Sequence, residues 1–228
     1  MNAKTFLILT FFLFLGGVLF LAWRYLHLPT NFPIHRVKVV GDYQFVDPET
    51  LEKVVLPYVD KGFFNIPIQA ADTALNQIPG VEKSSLKRIW PDQVDIRVME
   101  KIAEAILPDG EIYATDGTVF KPILNPDLNQ LPLFSGALED LPAIKNFYHS
   151  AKFLLGKAGF QINYVGCDGL GSWTIGVNPN MTIILGQNHL MDKLSRFVEH
   201  YPMLKESNGG KIPTSVDLRY TLGFAVKY

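Results

Sequence analysis

Residue types suited to metal binding or nucleophilic chemistry are few in this 228-residue chain, which has five histidines and one cysteine, Cys167. No two histidines stand at the helical or strand spacing that places both on one metal ion. His189 and His200 share a predicted helix, but they lie eleven residues apart, too far for one ion. A single cysteine excludes an intramolecular disulfide framework and a cysteine-built zinc site. The sequence therefore predicts no metal centre, and Cys167 is interpreted as a small buried apolar residue.

Motifs that would position a catalytic group or a cofactor are also missing. Asp109, Asp116 and Asp168 each precede a glycine, which is typical of turns. The triplet Trp90-Pro91-Asp92 suggests a tyrosine phosphatase loop, but such a phosphatase requires Cys-x5-Arg, and Cys167 is followed at that distance by Ser172 and Trp173 and not by an arginine. No nucleophile elbow, phosphate-binding loop or dinucleotide fingerprint occurs. We predict no catalytic residue, no cofactor and no small-molecule substrate; a hydrolase with paired carboxylates remains the enzymatic alternative, because such pairs form only in space.

The first element that must position the rest is an apolar segment near the N-terminus. Residues 6–22 read FLILTFFLFLGGVLFLA, seventeen residues without a charge. At about 1.5 Å per residue they reach roughly 25 Å, and Trp23 and Tyr25 extend the segment into an interface. We predict a cytoplasmic N-terminus at 1–5, a transmembrane helix at 6–25 and a linker at 26–33. A cleaved signal peptide is the alternative, and the bulky residues after Ala22 argue against it.

Charge and length restrict the part of the chain after this helix. The formal net charge of −1 leaves no basic footprint for nucleic acid. A short N-terminal tail before a long folded domain favours an N-terminus inside the cell, since long domains cross largely regardless of their charge. About 200 residues are enough for one large domain or two small ones.

Residues 34–102 predict a small domain of order β-α-α-β-β. Residues 34–40 alternate in polarity as a strand does, and Asp47-Pro48 is typical of a helix start. A second short helix is predicted at 70–78. Two strands follow at 81–89 and 93–101, joined tightly at Trp90-Pro91-Asp92. The pattern indicates a small sheet with two helices on one face.

Residues 103–228 predict a larger mixed β-sheet domain with two amphipathic helices. Apolar residues recur at helical spacing in 142–158 and again in 189–204. The strands are predicted at 103–107, 111–114, 119–120, 160–165, 172–177, 181–185, 215–220 and 224–228. The fold class is therefore α+β, with one N-terminal transmembrane helix ahead of two domains.

Several segments of this sequence resemble the sequence motifs of a known protein family. The order of elements in 34–102 resembles a POTRA domain, a module that binds extended segments by edge pairing. Residues 87–92 (KRIWPD), followed by Ile96 and Glu100, resemble the FtsQ/DivIB family of bacterial cell division proteins. Residues 115–120 (TDGTVF), 193–202 (KLSRFVEHYP) and 216–220 (VDLRY), with Gly223 and Ala225-Val226 after them, are similar to later parts of that family. The likeness covers nearly the whole chain in register.

The resemblance implies a non-catalytic scaffold of the division machinery. Such a protein lies in the inner membrane at the septum, binds the FtsB–FtsL pair and helps to control septal peptidoglycan synthesis, while its POTRA domain contacts other division proteins. Two alternatives remain: a membrane-anchored periplasmic peptidoglycan hydrolase, and another POTRA-bearing interaction module. A POTRA-bearing transporter would need a long barrel of strands after residue 101, against which the two helices argue.

The partner-binding residues are expected at the C-terminal sheet edge, because the last strand has no later strand to pair with. Arg219 is suited to clamping a carboxylate, and Tyr220 to serving as an aromatic anchor. On spacing alone, Tyr220 and Phe224 would be ordinary core and Arg219 a solvated residue. The chain departs from the family pattern at Leu170-Gly171, where a basic residue is expected. The candidate set is Arg219, Tyr220, Leu222, Gly223, Phe224, Ala225, Val226 and Tyr228.

Overall fold

The computed structural model describes residues 3–124, 126–220 and 223–228. The chain forms two compact units. The first comprises the chain up to Lys101 together with Pro122–Pro126, and the second comprises Ile102–Lys121 and Asp127–Tyr228.

The first unit begins with one long helix, α1, at Ala3–His27. Its apolar window Thr10–His27 has a length and composition sufficient to cross a membrane, and none of that window is buried within the protein. No other helix of the described ranges meets these criteria. The exposure of phenylalanine and leucine side chains such as Phe12 and Leu13 agrees with a helix whose surroundings are lipid.

The remainder of the first unit follows the predicted order β-α-α-β-β. The elements are β1 Arg36–Val39, α2 Pro48–Val59, α3 Ile68–Leu75, β2 Val81–Ile89 and β3 Gln93–Glu100. The strand order is β1-β3-β2, with β1 parallel to β3 and β2 antiparallel to β3. Helix α2 begins as the sequence predicts, because the carboxylate of Asp47 accepts the backbone N–H of Thr50 at 3.2 Å. Helix α3 begins and ends slightly earlier than predicted.

Glu100, at the end of β3, shows what one residue of the family-like motif does. Its carboxylate accepts the consecutive backbone N–H groups of Gln44, Phe45 and Val46, each at 2.8 Å. Three N–H groups converging on one carboxylate form a charge-assisted set that fixes the loop between β1 and α2. The carbonyl of Phe45 in the same loop accepts the N–H of Ile123 at 2.8 Å, which ties segment 122–126 to this unit.

The second unit is a mixed sheet with two long helices. The elements are β4 Ala103–Ile106, β5 Ile112–Ala114, β6 Val119–Phe120, β7 Leu133–Ser135, α4 Leu141–Lys157, β8 Ile162–Cys167, β9 Trp173–Val177, β10 Met181–Gly186, α5 Leu190–Ser207, β11 Ser215–Asp217 and β12 Ala225–Lys227. The nine strands described have the order β12-β11-β10-β9-β8-β7-β4-β5-β6. The pairs β10–β11, β4–β7 and β7–β8 are parallel, and the other neighbouring strands are antiparallel.

Both helices bury their predicted apolar stripes in one core. Ile144, Ala151 and Leu155 of α4 and Leu194 and Phe197 of α5 are fully buried in the same cluster. The cluster also takes inward residues of β8 to β11, so the helices and the strands around β10 are held by common packing. The C-terminal strands therefore lie on a rigid support.

Three strands of this unit differ from the predictions by two residues or more. Strand β8, at Ile162–Cys167, begins and ends two residues later than the predicted 160–165. Strand β7, for which no strand was predicted, pairs in parallel with both β4 and β8. Strand β11 ends at Asp217 and not at Tyr220. The reason is local: the carboxylate of Asp217 accepts the backbone N–H of Arg219 at 3.0 Å, an Asx turn that draws the chain away from the ladder.

Candidate partner-binding edge

The last strand, β12, forms one end of the nine-stranded sheet. It pairs antiparallel with β11 in the register Ser215↔Lys227, Val216↔Val226 and Asp217↔Ala225. Strand β11 pairs in parallel with β10 on its other side. Within the described ranges no strand lies beyond β12, so one side of its backbone has no strand partner. An unpaired strand side presents N–H and C=O groups that a further strand can pair with.

Side chains of β12 alternate between the core and the outside. Phe224 and Val226 are half-buried and pack against the core, and the ring of Phe224 meets that of Phe197 edge-on at 6.1 Å. Ala225 and Lys227 are exposed. The inward pair fixes which face of the strand is turned to solvent, since a shift of one residue would expose both apolar side chains.

Helix α5 holds the backbone at Tyr220 and Gly223, shortly before β12. The Nη2 group of Arg196 donates to the carbonyl of Tyr220 at 3.0 Å and lies 3.4 Å from the carbonyl of Gly223. On the other side of the turn, the N–H of Leu218 donates to the carbonyl of Ile184 at 2.7 Å. A single guanidinium thus contacts the backbone at Tyr220 and at Gly223, two residues before β12.

Arg219 makes an ion pair with its own neighbour. Its Nε and Nη2 groups donate to the two carboxylate oxygens of Asp217 at 2.9 and 2.6 Å. The hydrogen bonds from Arg219 lower the pKa of Asp217, and the same contact raises the pKa of Arg219. The guanidinium of Arg219, which the sequence predicts as a ligand for a partner carboxylate, therefore already binds the carboxylate of Asp217.

Two tyrosines flank the strand with much of their surface free. The side chain of Tyr220 is 58% exposed, and that of Tyr228, at the other end, is 45% exposed. Large exposed aromatic side chains beside an open strand edge are typical anchors in protein interfaces, because they bury a large area with few rotatable bonds. Tyr220 is thus not a core residue, whereas Phe224 contributes to the core.

A cavity of about 470 Å³ lies beside the turn, between it and the start of α5. Its lining includes Lys193, Arg196 and Tyr220, and Lys193 also donates its ammonium to the carbonyl of Leu185 at 2.7 Å. His189 at the rim has a φ of 53°, unusual for a residue other than glycine. Lys193 and Arg196 were not among the site residues predicted from the sequence, although both lie in the family-like segment 193–202.

The predicted site residues therefore fall into distinct roles. Gly223, Phe224, Ala225 and Val226 lie together at the edge. Arg219 and Tyr220 lie in the turn before it and Tyr228 after it, while Leu222 lies outside the described residues. Among the residues that the structure describes, no group of three or more histidine, cysteine or acidic side chains could hold a metal ion. Burial raises the pKa of the half-buried Cys167, which disfavours the reactive thiolate.

These features define a class: a single apolar helix that fits a membrane anchor, a POTRA domain and a larger sheet domain that ends at an open edge. Two family models match the chain. The model of the FtsQ-type POTRA domain matches residues 32–101, and the model of the C-terminal part of cell division protein FtsQ/DivIB matches residues 110–219.

Relatives described as "Cell division protein FtsQ" match over most of the chain. The relative from Xanthomonas campestris pv. campestris is 30% identical over 198 residues, which cover 86% of this chain and 70% of the relative. That from Coxiella burnetii is 26% identical over 89% of this chain and 83% of its own length. That from Allochromatium vinosum is 29% identical over 95% and 85%. The chain belongs to the FtsQ/DivIB family of cell division proteins.

Proposed function

We propose that this cell division protein is a non-catalytic, membrane-anchored scaffold that binds the FtsB–FtsL pair by adding a partner strand to β12. The single observation that carries the proposal is the position of β12, an outer strand paired on one side only within the described ranges. Main-chain hydrogen bonds to an added strand fix its direction and supply part of the affinity, and side chains beside the edge supply the rest of the affinity and the specificity.

The residues around β12 have different roles in the proposed binding of a partner strand. Phe224 and Val226 pack inward and hold the strand flat against its support. Tyr220 and Tyr228 are the exposed anchors on either side. Arg219 keeps Asp217 and the turn in place, so a carboxylate of the partner would share the guanidinium with Asp217 rather than find it vacant. Leu222, which lies outside the described residues, and Gly223 complete the proposed contact set.

The membrane arrangement follows from the anchor. Helix α1 spans the inner membrane with the short N-terminal tail in the cytoplasm, and the two units lie in the periplasm at the division septum. The POTRA domain contacts other division proteins, so that the chain links early and late members of the machinery and helps to control septal peptidoglycan synthesis. The support is the exposed apolar helix and the family membership.

A pull-down of the FtsB–FtsL pair with the full chain in detergent tests the site. Tyr220→Ala removes a large exposed anchor and is expected to weaken binding by about 2 kcal/mol, roughly thirty-fold in Kd. The matched control is Phe153→Ala, which removes an aromatic ring that is 70% exposed on α4. Equal recovery by the two variants would contradict the assignment of Tyr220.

A second measurement separates a scaffold from the enzymatic alternative. The purified full chain, incubated with peptidoglycan fragments, is expected to leave them unchanged. Turnover that persists in Tyr220→Ala would identify a peptidoglycan hydrolase whose activity does not depend on the edge, and the scaffold proposal would then be wrong.

A further inference from the structure

The end of α1 is capped by side chains from outside the helix. The last carbonyl groups of any helix lack intrahelical partners. Here Nδ2 of Asn65, in the loop between α2 and α3, donates to the carbonyl of His27 at 2.6 Å. Nδ2 of Asn31 donates to the carbonyl of Tyr25 at 2.8 Å. The folded part of the first unit and its linker therefore satisfy groups of the apolar helix directly.

The backbone of the same loop fits closely against the linker. Gly62 has a φ of +81°, and a Cβ added there would lie 2.8 Å from the Cα of Pro29. The next residue, Phe63, donates its N–H to the carbonyl of Phe32 at 2.8 Å. Only glycine allows both this φ and this approach, so the contact depends on the residue at position 62.

Aromatic rings continue the contact from the helix to the loop. Trp23 lies 4.6 Å from the ring of His27, which lies 6.2 Å from that of Phe64. Phe32 meets Phe64 at 5.2 Å and Tyr25 at 6.3 Å, both edge-on. We call these five rings, Trp23, Tyr25, His27, Phe32 and Phe64, the aromatic collar.

The position of the collar indicates its surroundings. It lies at the end of the apolar window Thr10–His27, and the side chains of Trp23 and Tyr25 are exposed. Tryptophan and tyrosine favour the boundary between the hydrocarbon and the headgroups, where the ring is in an apolar layer and its polar atom is wet. Arg24 in the last turn of α1 and Lys61 in the loop add two cations suited to lipid phosphates.

We propose that the aromatic collar lies in the headgroup layer of the bilayer and that the loop 61–65 clamps α1, so that the first unit is held at the membrane surface in a fixed orientation. The proposal rests on the membrane anchoring stated under the proposed function. A flexible linker of similar length would let the domain swing freely. The clamp replaces that freedom with specific contacts on both sides of the linker.

Hydrogen exchange on the full chain in nanodiscs of phosphatidylethanolamine and phosphatidylglycerol tests the clamp. The amide of Phe63 is expected to be protected, and Gly62→Val is expected to speed its exchange about tenfold or more, as loss of one hydrogen bond implies. The control is Gly110→Val, since Gly110 has a similar φ of +82° with nothing within 4 Å of an added Cβ. Asn65→Ala, which keeps the backbone unstrained, should give the same direction of change. An unprotected amide in the unmodified chain would overturn the clamp.

A spin label tests the lipid contact. Lys61→Cys, combined with Cys167→Ser, carries a label whose relaxation is expected to rise when nickel-chelating lipids are added to the nanodisc. Asn65→Ala in that background should reduce the effect. A label that does not sense the lipid-bound nickel, in a chain that resists alkaline extraction from membranes, would overturn the collar while leaving the anchor intact. Loss of the chain on extraction would instead refute the anchoring itself.

Discussion

Arg196 offers a sharp test of whether the turn before β12 controls partner binding. It lies on α5 and not on the edge, and it contacts the backbone before β12 through the carbonyls of Tyr220 and Gly223. Arg196→Lys keeps the positive charge but removes the planar group that reaches both carbonyls. The substitution therefore loosens the turn without changing the net charge beside it.

The magnitude follows from the two contacts. A hydrogen bond from a charged donor contributes about 1.5–3 kcal/mol, and the 3.4 Å contact to Gly223 is the weaker of the two. In Arg196→Lys the backbone around Tyr220 and Gly223 is less ordered, and ordering it on binding costs about 2 kcal/mol of the binding free energy. We expect affinity for the FtsB–FtsL pair to fall roughly thirty-fold.

The assay is calorimetric titration of the FtsB–FtsL pair into the full chain in detergent, with hydrogen exchange of the C-terminal residues measured in parallel. Arg97→Lys, at an exposed position of β3, is the control for loss of a guanidinium elsewhere. If exchange in 223–228 rises in Arg196→Lys while the affinity stays unchanged, the turn does not control binding and the reasoning fails.

Three further predictions concern stability. Glu100→Gln should lower the local stability of the first unit by about 2–3 kcal/mol, because an amide cannot accept three N–H groups as a carboxylate does. Hydrogen exchange of β3 measures this loss of stability. The control is Glu82→Gln, on the exposed side of β2. Phe224→Ala should destabilise β12 by about 2 kcal/mol through lost core packing, seen as faster exchange of β11 and β12; unchanged exchange would show that the ring is not core. Arg219 lowers the pKa of Asp217 in the folded state below its unfolded value of about 3.9. The ionised Asp217 therefore stabilises the folded state fully above the unfolded pKa, and this stabilisation is lost as the pH falls through the lower folded pKa. The melting temperature should therefore fall less between about pH 5 and pH 2.5 in Asp217→Asn than in the unmodified chain, and equal pH dependence would contradict the pairing.

Long elements with a strong local pattern could be predicted from the sequence. The apolar stripes of α4 and α5 are buried in the structure, for example at Ile144 and Phe197. They could be predicted because helical periodicity depends on residues that are close together in the sequence. The helix start at Asp47-Pro48 and the tight β2–β3 hairpin were predicted for the same reason. These features depend on contacts within a few residues.

Features made by distant residues could not be predicted in this way. Strand β7 is short, and it becomes a strand only through parallel neighbours that come from other parts of the chain. Segment 122–126 belongs with the first unit although the residues on both sides belong to the second. The role of Arg196 depends on carbonyls 24 and 27 residues away. No local pattern of polarity carries such information.

At the candidate site, the sequence predicted that the last strand is an outer strand of the sheet. The short length of this strand shows why the side chains beside it matter for the affinity. Strand β12 has three residues, and the opposite edge strand β6 has two, which limits pairing with unrelated chains. Three residues supply only a few backbone hydrogen bonds, each worth about 0.5–1.5 kcal/mol net, whereas micromolar affinity requires about 8 kcal/mol. If β12 binds a partner as proposed, most of the binding energy must therefore come from side chains beside the strand, of which Tyr220 and Tyr228 are large and exposed at its two ends. Substitution of these tyrosines should consequently cost more affinity than substitution of the solvent-facing Ala225 within the strand itself.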